Sequence, residues 1–188
     1  IDIAKFTLIG ATTRAGSLSA PLRDRFGIVS KFEFYTVNEI KDILNRTANV
    51  LGIKVDDESL EEMAKRSRGT PRIGNRLLKR VRDFSAVISN GDVDIDITRR
   101  ALEALGVDDL GLEKLDRDIL SCIIKSFNGG PVGIETIASS IGEERVTLED
   151  ANEPYLIQAG LIYRTQKGRV AAKAAYEHLG LMELYKED

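Results

Sequence analysis

From residue 111 onward the hydropathy pattern of the chain admits few folds. An apolar helical stretch over about 115–127 stops at Asn128-Gly129-Gly130-Pro131, a tetrapeptide no helix continues through. Two further short helical stretches, 134–140 and about 146–159, flank the turn Ile141-Gly142-Glu143-Glu144-Arg145. Two β-prone runs, Leu161-Ile162-Tyr163-Arg164 and Arg169-Val170-Ala171-Ala172, then bracket Thr165-Gln166-Lys167-Gly168, as in a hairpin with glycine late in its loop. Three short helices followed by a basic hairpin spell a winged helix, a relative of the helix-turn-helix unit.

The preceding residues divide into two further segments. Over 36–110 the signals are helical. Thr36-Val37-Asn38-Glu39 is a capping box, with Ile40, Ile43, Leu44, Ala48 and Leu51 on one face behind it. Asp57 is placed to cap a short helix ending before Gly69, and Asp96 opens a last one that stops at Gly106. Between them, Thr70-Pro71 restarts a helix, with Thr as N-cap, Pro at the first helical position and Ile73, Leu77, Val81, Phe84 and Ile88 at helical spacing. Residues 1–35 read differently. Phe6-Thr7-Leu8-Ile9-Gly10-Ala11 is a nearly unbroken apolar run, as in a buried parallel strand, and a second strand is predicted over Ile28–Tyr35. Two strands do not make a fold, so this segment calls for more sheet, and the chain is predicted to begin in mid-domain. The expected class is mixed and mainly α, in three parts: 1–35, 36–110 and 111–188.

Composition narrows the function. The chain has 188 residues, no Trp and 43% hydrophobic residues, so its cores are aliphatic. No apolar run nears the roughly 20 residues a bilayer crossing needs, and the N-terminus lacks a start Met and a signal-peptide pattern. Single Cys122 and His178 exclude an internal disulfide, a Cys/His metal site and a catalytic triad, and fit a reducing cytoplasm. With a net charge of −3, contact with nucleic acid has to come from a local basic patch.

Several residues stand where chemistry happens. Thr12-Thr13 follows the first strand, at the edge where open α/β sheets bind ligands; a hydroxyl there either positions a water or phosphate, or merely starts a loop. In Arg23-Asp24-Arg25-Phe26 the ring of Phe26 can fix the backbone while Arg25 projects. Arg25 is then either a finger toward a neighbour's phosphate or a surface ion-pair residue. Arg72 lies in the first turn of a helix, where free N–H groups already attract anions and a guanidinium adds a fork of donors. Around it Lys65, Arg66, Arg68, Arg76, Lys79 and Arg80 read as a solvated basic face. In the winged helix Arg164, Lys167 and Arg169 cluster on the wing and Arg145 stands at the front of helix three. Glu143, Glu144, Glu149, Asp150 and Glu153 make that helix a poor base reader, which leaves backbone contact through the wing or a protein-only role. Neither a G-x-x-x-x-G-K-[ST] loop nor an acidic strand end for Mg²⁺ occurs in these residues, so alone they are not expected to hydrolyse ATP.

Two strings resemble AAA+ ATPases. Phe6–Arg14 with Pro21-Leu22-Arg23-Asp24-Arg25-Phe26-Gly27 is similar to the region of sensor 1 and the arginine finger, and Arg68-Gly69-Thr70-Pro71-Arg72-Ile73 to sensor 2. Adding Gly129-Gly130-Pro131-Val132-Gly133, Glu153-Pro154-Tyr155-Leu156-Ile157-Gln158 and Thr165-Gln166-Lys167-Gly168-Arg169, the set resembles the RuvB family of Holliday-junction branch-migration motors. The resemblance runs from about residue 5 to 180; each motif is modest, and their order and spacing are specific.

The resemblance implies the end of a large ATPase domain over 1–35, a helical lid over 36–110 and a DNA-binding winged helix over 111–188. It assigns Thr13 to sensor 1, Arg25 to a finger acting in trans, Arg72 to sensor 2 and Tyr35 to a nucleotide contact. Arg145, Arg164 and Arg169, with Lys167 beside them, fall at DNA-contacting positions. It further implies ATP and Mg²⁺, a homo-hexamer on duplex DNA at a Holliday junction, and RuvA and RuvC as partners, with the phosphate loop and the RuvA-docking hairpin outside these residues. Two rivals remain: another AAA+ winged-helix machine of the origin-initiator type, which calls for base-reading residues on helix three, and a non-enzymatic winged-helix regulator, which calls for a self-contained 1–35.

Overall fold

In a computed structural model that describes residues 4–12, 15–89 and 91–186, the long helices begin at the capping signals. Helix α1 (Ala20–Arg23) is a single turn. Helix α2 (Val37–Leu51) opens on the capping box: the Glu39 N–H donates to Thr36 Oγ1 at 3.3 Å, and the Thr36 N–H donates to Glu39 Oε2 at 2.8 Å. Ile40, Leu44 and Ala48, four residues apart, form its buried stripe, and Gly52 ends it in the left-handed conformation at φ 65°. Helix α3 (Asp57–Lys65) is capped by Asp56, not Asp57: Asp56 Oδ1 accepts the Ser59 N–H at 2.7 Å. Helix α4 (Pro71–Ile88) starts at Pro71, but Thr70 only occupies the cap position, its hydroxyl donating to the Arg68 carbonyl at 3.3 Å. Helix α5 (Ile95–Ala104) is capped by Asp94. These four long helices enclose one aliphatic core around Ile40, Leu44, Met63, Leu78 and Leu102.

The winged helix follows. Helix one is α6 (Lys114–Ser121), continued by a π turn over Cys122–Ser126; helix two is α7 (Ile134–Ile141). Helix three is broken into α8 (Arg145–Thr147), a π turn over Leu148–Asn152 and α9 (Glu153–Gln158). Pro154 explains the break, since its ring and missing N–H disrupt the i→i−4 ladder at Asp150. Strands β1 (Ile162–Thr165) and β2 (Gly168–Ala171) pair antiparallel with Arg164 opposite Arg169, around the two-residue turn Gln166-Lys167. Val132 joins as a third rung, exchanging backbone hydrogen bonds with Arg169 at 2.8 and 3.0 Å. Beyond the hairpin, helix α10 (Lys173–Leu179) and a 3-10 turn over Met182–Leu184 are elements the sequence did not announce. Leu120, Ile123, Ile137, Leu148, Leu156 and Leu161 are fully buried in the second core. Cys122 also lies inside it, and burial raises its thiol pKa.

Both cores belong to one compact unit, Phe34–Asp188; Ile1–Glu33 is a separate one. There the expectation of two strands fails. Among the described residues neither 6–11 nor 28–35 is in a ladder, and Ile9 is 89% and Phe32 92% exposed. The physical reason is that a strand exists only by pairing its N–H and C=O groups with a neighbour, and these runs find none among the described residues. No described helix is long and apolar enough to cross a membrane.

Candidate functional site

The loop between α3 and α4 carries the densest chemistry. Arg68 and Gly69 are consecutive left-handed residues, at φ 54° and 63°. For glycine this is free, but a Cβ at Gly69 would lie 2.8 Å from both Phe34 Cβ and the Tyr35 carbonyl oxygen, so only glycine fits. The Tyr35 N–H donates to the Gly69 carbonyl at 3.0 Å. Tyr35, 47% exposed, and Arg72, exposed in the first turn of α4, are thereby anchored to the same turn.

In the basic stretch around Arg72, Lys65, Arg76, Lys79 and Arg80 are exposed as expected of a solvated face, but Arg66 and Arg68 are not. Arg66 is buried: Nη2 binds Glu62 at 2.6 Å and Asp109 at 2.7 Å, and Nη1 donates to the Val107 carbonyl at 2.9 Å. Arg68, 8% exposed, donates from Nη2 to Asp116 Oδ2 at 2.5 Å and from Nε to the Gly111 carbonyl at 2.7 Å, with its guanidinium 4.9 Å from the Tyr155 ring centroid. Arg76 pairs with Glu113. Of the four arginines from 66 to 76, Arg72 alone has no acidic partner among the described residues. The cause is physical: a guanidinium enters a core once carboxylates and carbonyls occupy its donors, and apart from Glu62, one helical turn before Arg66, those acceptors come from 107–116, far along the chain.

Asp116, 0% exposed, is the acceptor at the centre of this join. Besides Arg68 it accepts the Glu113 N–H at 2.8 Å and Asn152 Nδ2 at 2.7 Å. Tyr155 donates its hydroxyl to the Leu110 carbonyl at 2.6 Å, and burial raises its pKa. His178 and Arg117 both reach Asp108. None of these partners was read from the sequence; a carboxylate at the third position of α6 is an N-terminal signal, but nothing in a string pairs it with an arginine 48 residues away.

On the wing, Arg164 and Lys167 are exposed, whereas Arg169 is not. Arg169 is 8% exposed and holds Glu153, 5% exposed, through Nε at 2.8 Å and Nη2 at 2.9 Å, with Glu149 at 3.6 Å. Its expected place as an open wing charge is therefore corrected: it clamps the hairpin to helix three. Glu149 and Glu153 are drawn off the acidic face by the same clamp. Gly168 is buried against the Val132 backbone, where no Cβ fits, and is not an open tip; Gln166 and Lys167 form the tip. Arg145 is exposed but binds Glu135 at 2.8 Å and Glu149 at 3.2 Å, and these bonds, that to Glu149 foremost, raise its pKa.

In the first unit, Phe26 is partly buried next to Gly10 and Arg25 is exposed. Thr13 lies outside the described residues. No group of three or more His, Cys, Asp or Glu able to hold a metal occurs among the described residues.

Comparison with known proteins gives one consistent result. Three family models match in succession: the Holliday junction DNA helicase RuvB P-loop domain over 1–32, the RuvB AAA lid domain over 35–108 and the RuvB C-terminal winged helix domain over 109–180. The Holliday junction branch migration complex subunit RuvB of Staphylococcus haemolyticus is 58% identical over 178 residues, 95% of this chain and 54% of that protein. The chain thus spans about half the length of that relative. Among solved structures, the Thermotoga maritima RuvB Holliday junction branch migration motor superposes with a TM-score of 0.91 at 48% identity, covering 99% of this chain and 61% of the other. A variant of the same protein gives 0.91 at 50% identity, covering 96% and 60%. With matching lid, winged helix and P-loop-domain residues in the family's order, the chain belongs to the RuvB family.

Proposed function

We propose that these residues are part of a hexameric, ATP-driven motor that translocates duplex DNA during Holliday-junction branch migration in the cytoplasm, in a complex with RuvA and RuvC. The observation that carries this reading is Arg72: an exposed guanidinium in the first turn of an 18-residue helix, with no carboxylate partner among the described residues, whereas Arg66, Arg68 and Arg76 each have one. Such a group suits the terminal phosphate of a nucleotide. Tyr35, half-exposed and tied by its N–H to the turn before Arg72, suits the wall of a base pocket. The described residues fit ATP only in part, for they offer no carboxylate set for Mg²⁺. Mg²⁺ would neutralise charge on the β- and γ-phosphates; its ligands and the phosphate loop are expected from the length of the RuvB relatives that this chain does not span.

Within that scheme Thr13 serves as sensor 1 and Arg25 as the finger reaching a neighbour's nucleotide. Arg164 and Lys167 grip phosphates. Arg145 adds to that grip only by loosening its hold on Glu135 and Glu149, and Arg169 supports the wing from inside. Six wings on one duplex supply avidity that a single acidic protomer lacks. The test is turnover. The 188-residue chain should show no ATPase, the full-length protein should show DNA-stimulated ATPase, and Arg25→Ala in the full-length protein should lose most turnover while keeping nucleotide affinity. Normal hydrolysis by Arg25→Ala would reduce that residue to a surface charge, and full-length protein without ATPase would end the motor reading.

A further inference from the structure

Arg68 and Gly69 touch three things at once. Gly69 holds the backbone of Tyr35 through its carbonyl and through a close approach that leaves no room for a Cβ. Three residues on from Gly69 stands Arg72, and the Thr70 hydroxyl closes the intervening loop back onto the Arg68 carbonyl. Arg68 itself leaves the lid and enters the winged helix, where its fork is filled by Asp116 and the Gly111 carbonyl and its face covers Tyr155. Asp116 in turn holds Asn152, a residue of helix three, so a short relay of side chains, Arg68 to Asp116 to Asn152, joins the Arg72 turn to the third helix of the winged helix.

Resting on the reading of Arg72 as a phosphate sensor, we propose that the Arg68–Asp116 pair is the positioning device that passes movement of the nucleotide-facing turn to the winged helix. Three features favour transmission over mere adhesion. A buried ion pair is a weak way to gain stability compared with apolar packing of the same volume, but it fixes direction, because each of its bonds has one geometry. Arg68 adopts a left-handed backbone that non-glycine residues seldom take, a strain kept only where the surroundings impose it. The join is also reinforced against slippage on both sides of Arg68. The Arg66 backbone packs on Gly111 so closely that a Cβ there would clash, and Arg76 reaches Glu113 three residues before Asp116. A turn so held cannot tilt without carrying α6 along. Arg68 touches neither nucleotide nor DNA in this scheme and acts through Arg72 on one side and helix three on the other.

The experiment compares base pairs of branch migration per ATP hydrolysed in full-length protein, for wild type, Arg68→Met/Asp116→Leu, Asp116→Asn and Arg72→Ala, with thermal melting of each. The double apolar variant removes the directional bonds without stranding the guanidinium, though the Asn152 amide loses its acceptor. It should melt below wild type but above Asp116→Ala, hydrolyse ATP and move about fivefold fewer base pairs per ATP, a size typical of mutations within a coupling network. Loss of fold would lower hydrolysis and migration together and leave their ratio unchanged, which is what makes the ratio diagnostic. Asp116→Asn keeps the shape of the cluster, so it supplies the same comparison if the double variant does not fold, with a smaller fall in the ratio expected. A folded variant with an unchanged ratio overturns the coupling while leaving the motor reading intact. Wild-type hydrolysis by Arg72→Ala overturns the sensor reading, and the coupling with it.

Discussion

The arginines of the lid–winged-helix join and those of the wing tip and sensor turn are the same residue put to opposite uses. At the join, Arg66 and Arg68 are buried and every guanidinium has acceptors; at Arg72 and Arg164 the side chain is exposed with no carboxylate in reach among the described residues. The difference lies in the neighbours: acids and carbonyls brought in from 107–116 at one place, solvent at the other. An arginine whose donors are filled specifies how two parts meet, and one whose donors are empty remains available to a phosphate.

The sharpest way to break this contrast is to remove an acceptor from the buried side. Asp116→Ala strands a buried guanidinium and an amide, and should lower the unfolding free energy by about 3–5 kcal/mol in a urea titration. A loss no larger than that of a surface mutation would mean that water enters the join and that the two sets of arginines are alike. Gly69→Ala tests the turn between them. With φ at 63° and a Cβ 2.8 Å from Phe34 and Tyr35, it should cost about 1–3 kcal/mol by the same measurement.

The capping box of α2 gives a smaller, pH-dependent effect. Thr36→Ala should cost about 1 kcal/mol. Glu39 is held below the usual carboxylate range by the Thr36 N–H first and the Thr36 hydroxyl second. Its folded pKa is thus depressed, so its contribution is complete above the unfolded value and is lost as pH falls through the folded one. Helicity followed by circular dichroism should decline less on the acid side in Glu39→Gln than in wild type. The smallest stability effect belongs to Arg164→Ala/Lys167→Ala, under about 0.5 kcal/mol. Its signature lies in binding: anisotropy of full-length protein on two unrelated duplexes should weaken equally, with the salt slope reduced by about 0.9 for each phosphate no longer neutralised. Arg169→Ala, by contrast, should unfold the wing before it affects any salt slope.

The helices of the lid and the order of the winged helix were legible because their signals are local. Thr36 and Glu39 are three residues apart, Thr70-Pro71 are adjacent, and the stripe Ile40, Leu44, Ala48 repeats every four. The place of Arg72 in the first turn of α4 and the exposure of Arg25, Arg164 and Lys167 were legible for the same reason. What escaped depends on distant partners. Arg68 needs Asp116, Arg169 needs Glu153 on helix three, and the runs 6–11 and 28–35 need strands to pair with before their apolar content becomes a sheet. Helix α10 escaped because its cap position is Ala172, which offers no capping side chain to mark its start.

Helix three contains about one residue more per turn over Leu148–Asn152 than an α-helix would. Excising one residue there would remove the extra residue of the wide turn and leave the helix standing, with Pro154 still withholding its one bond. It would also rotate Asn152 by about a quarter-turn relative to α6, since an α-helix advances about 100° per residue, and carry its amide away from Asp116. The length of this helix is therefore under a constraint that neither its stability nor its charge would reveal: a one-residue deletion that looks harmless by helix propensity would disconnect it from the lid.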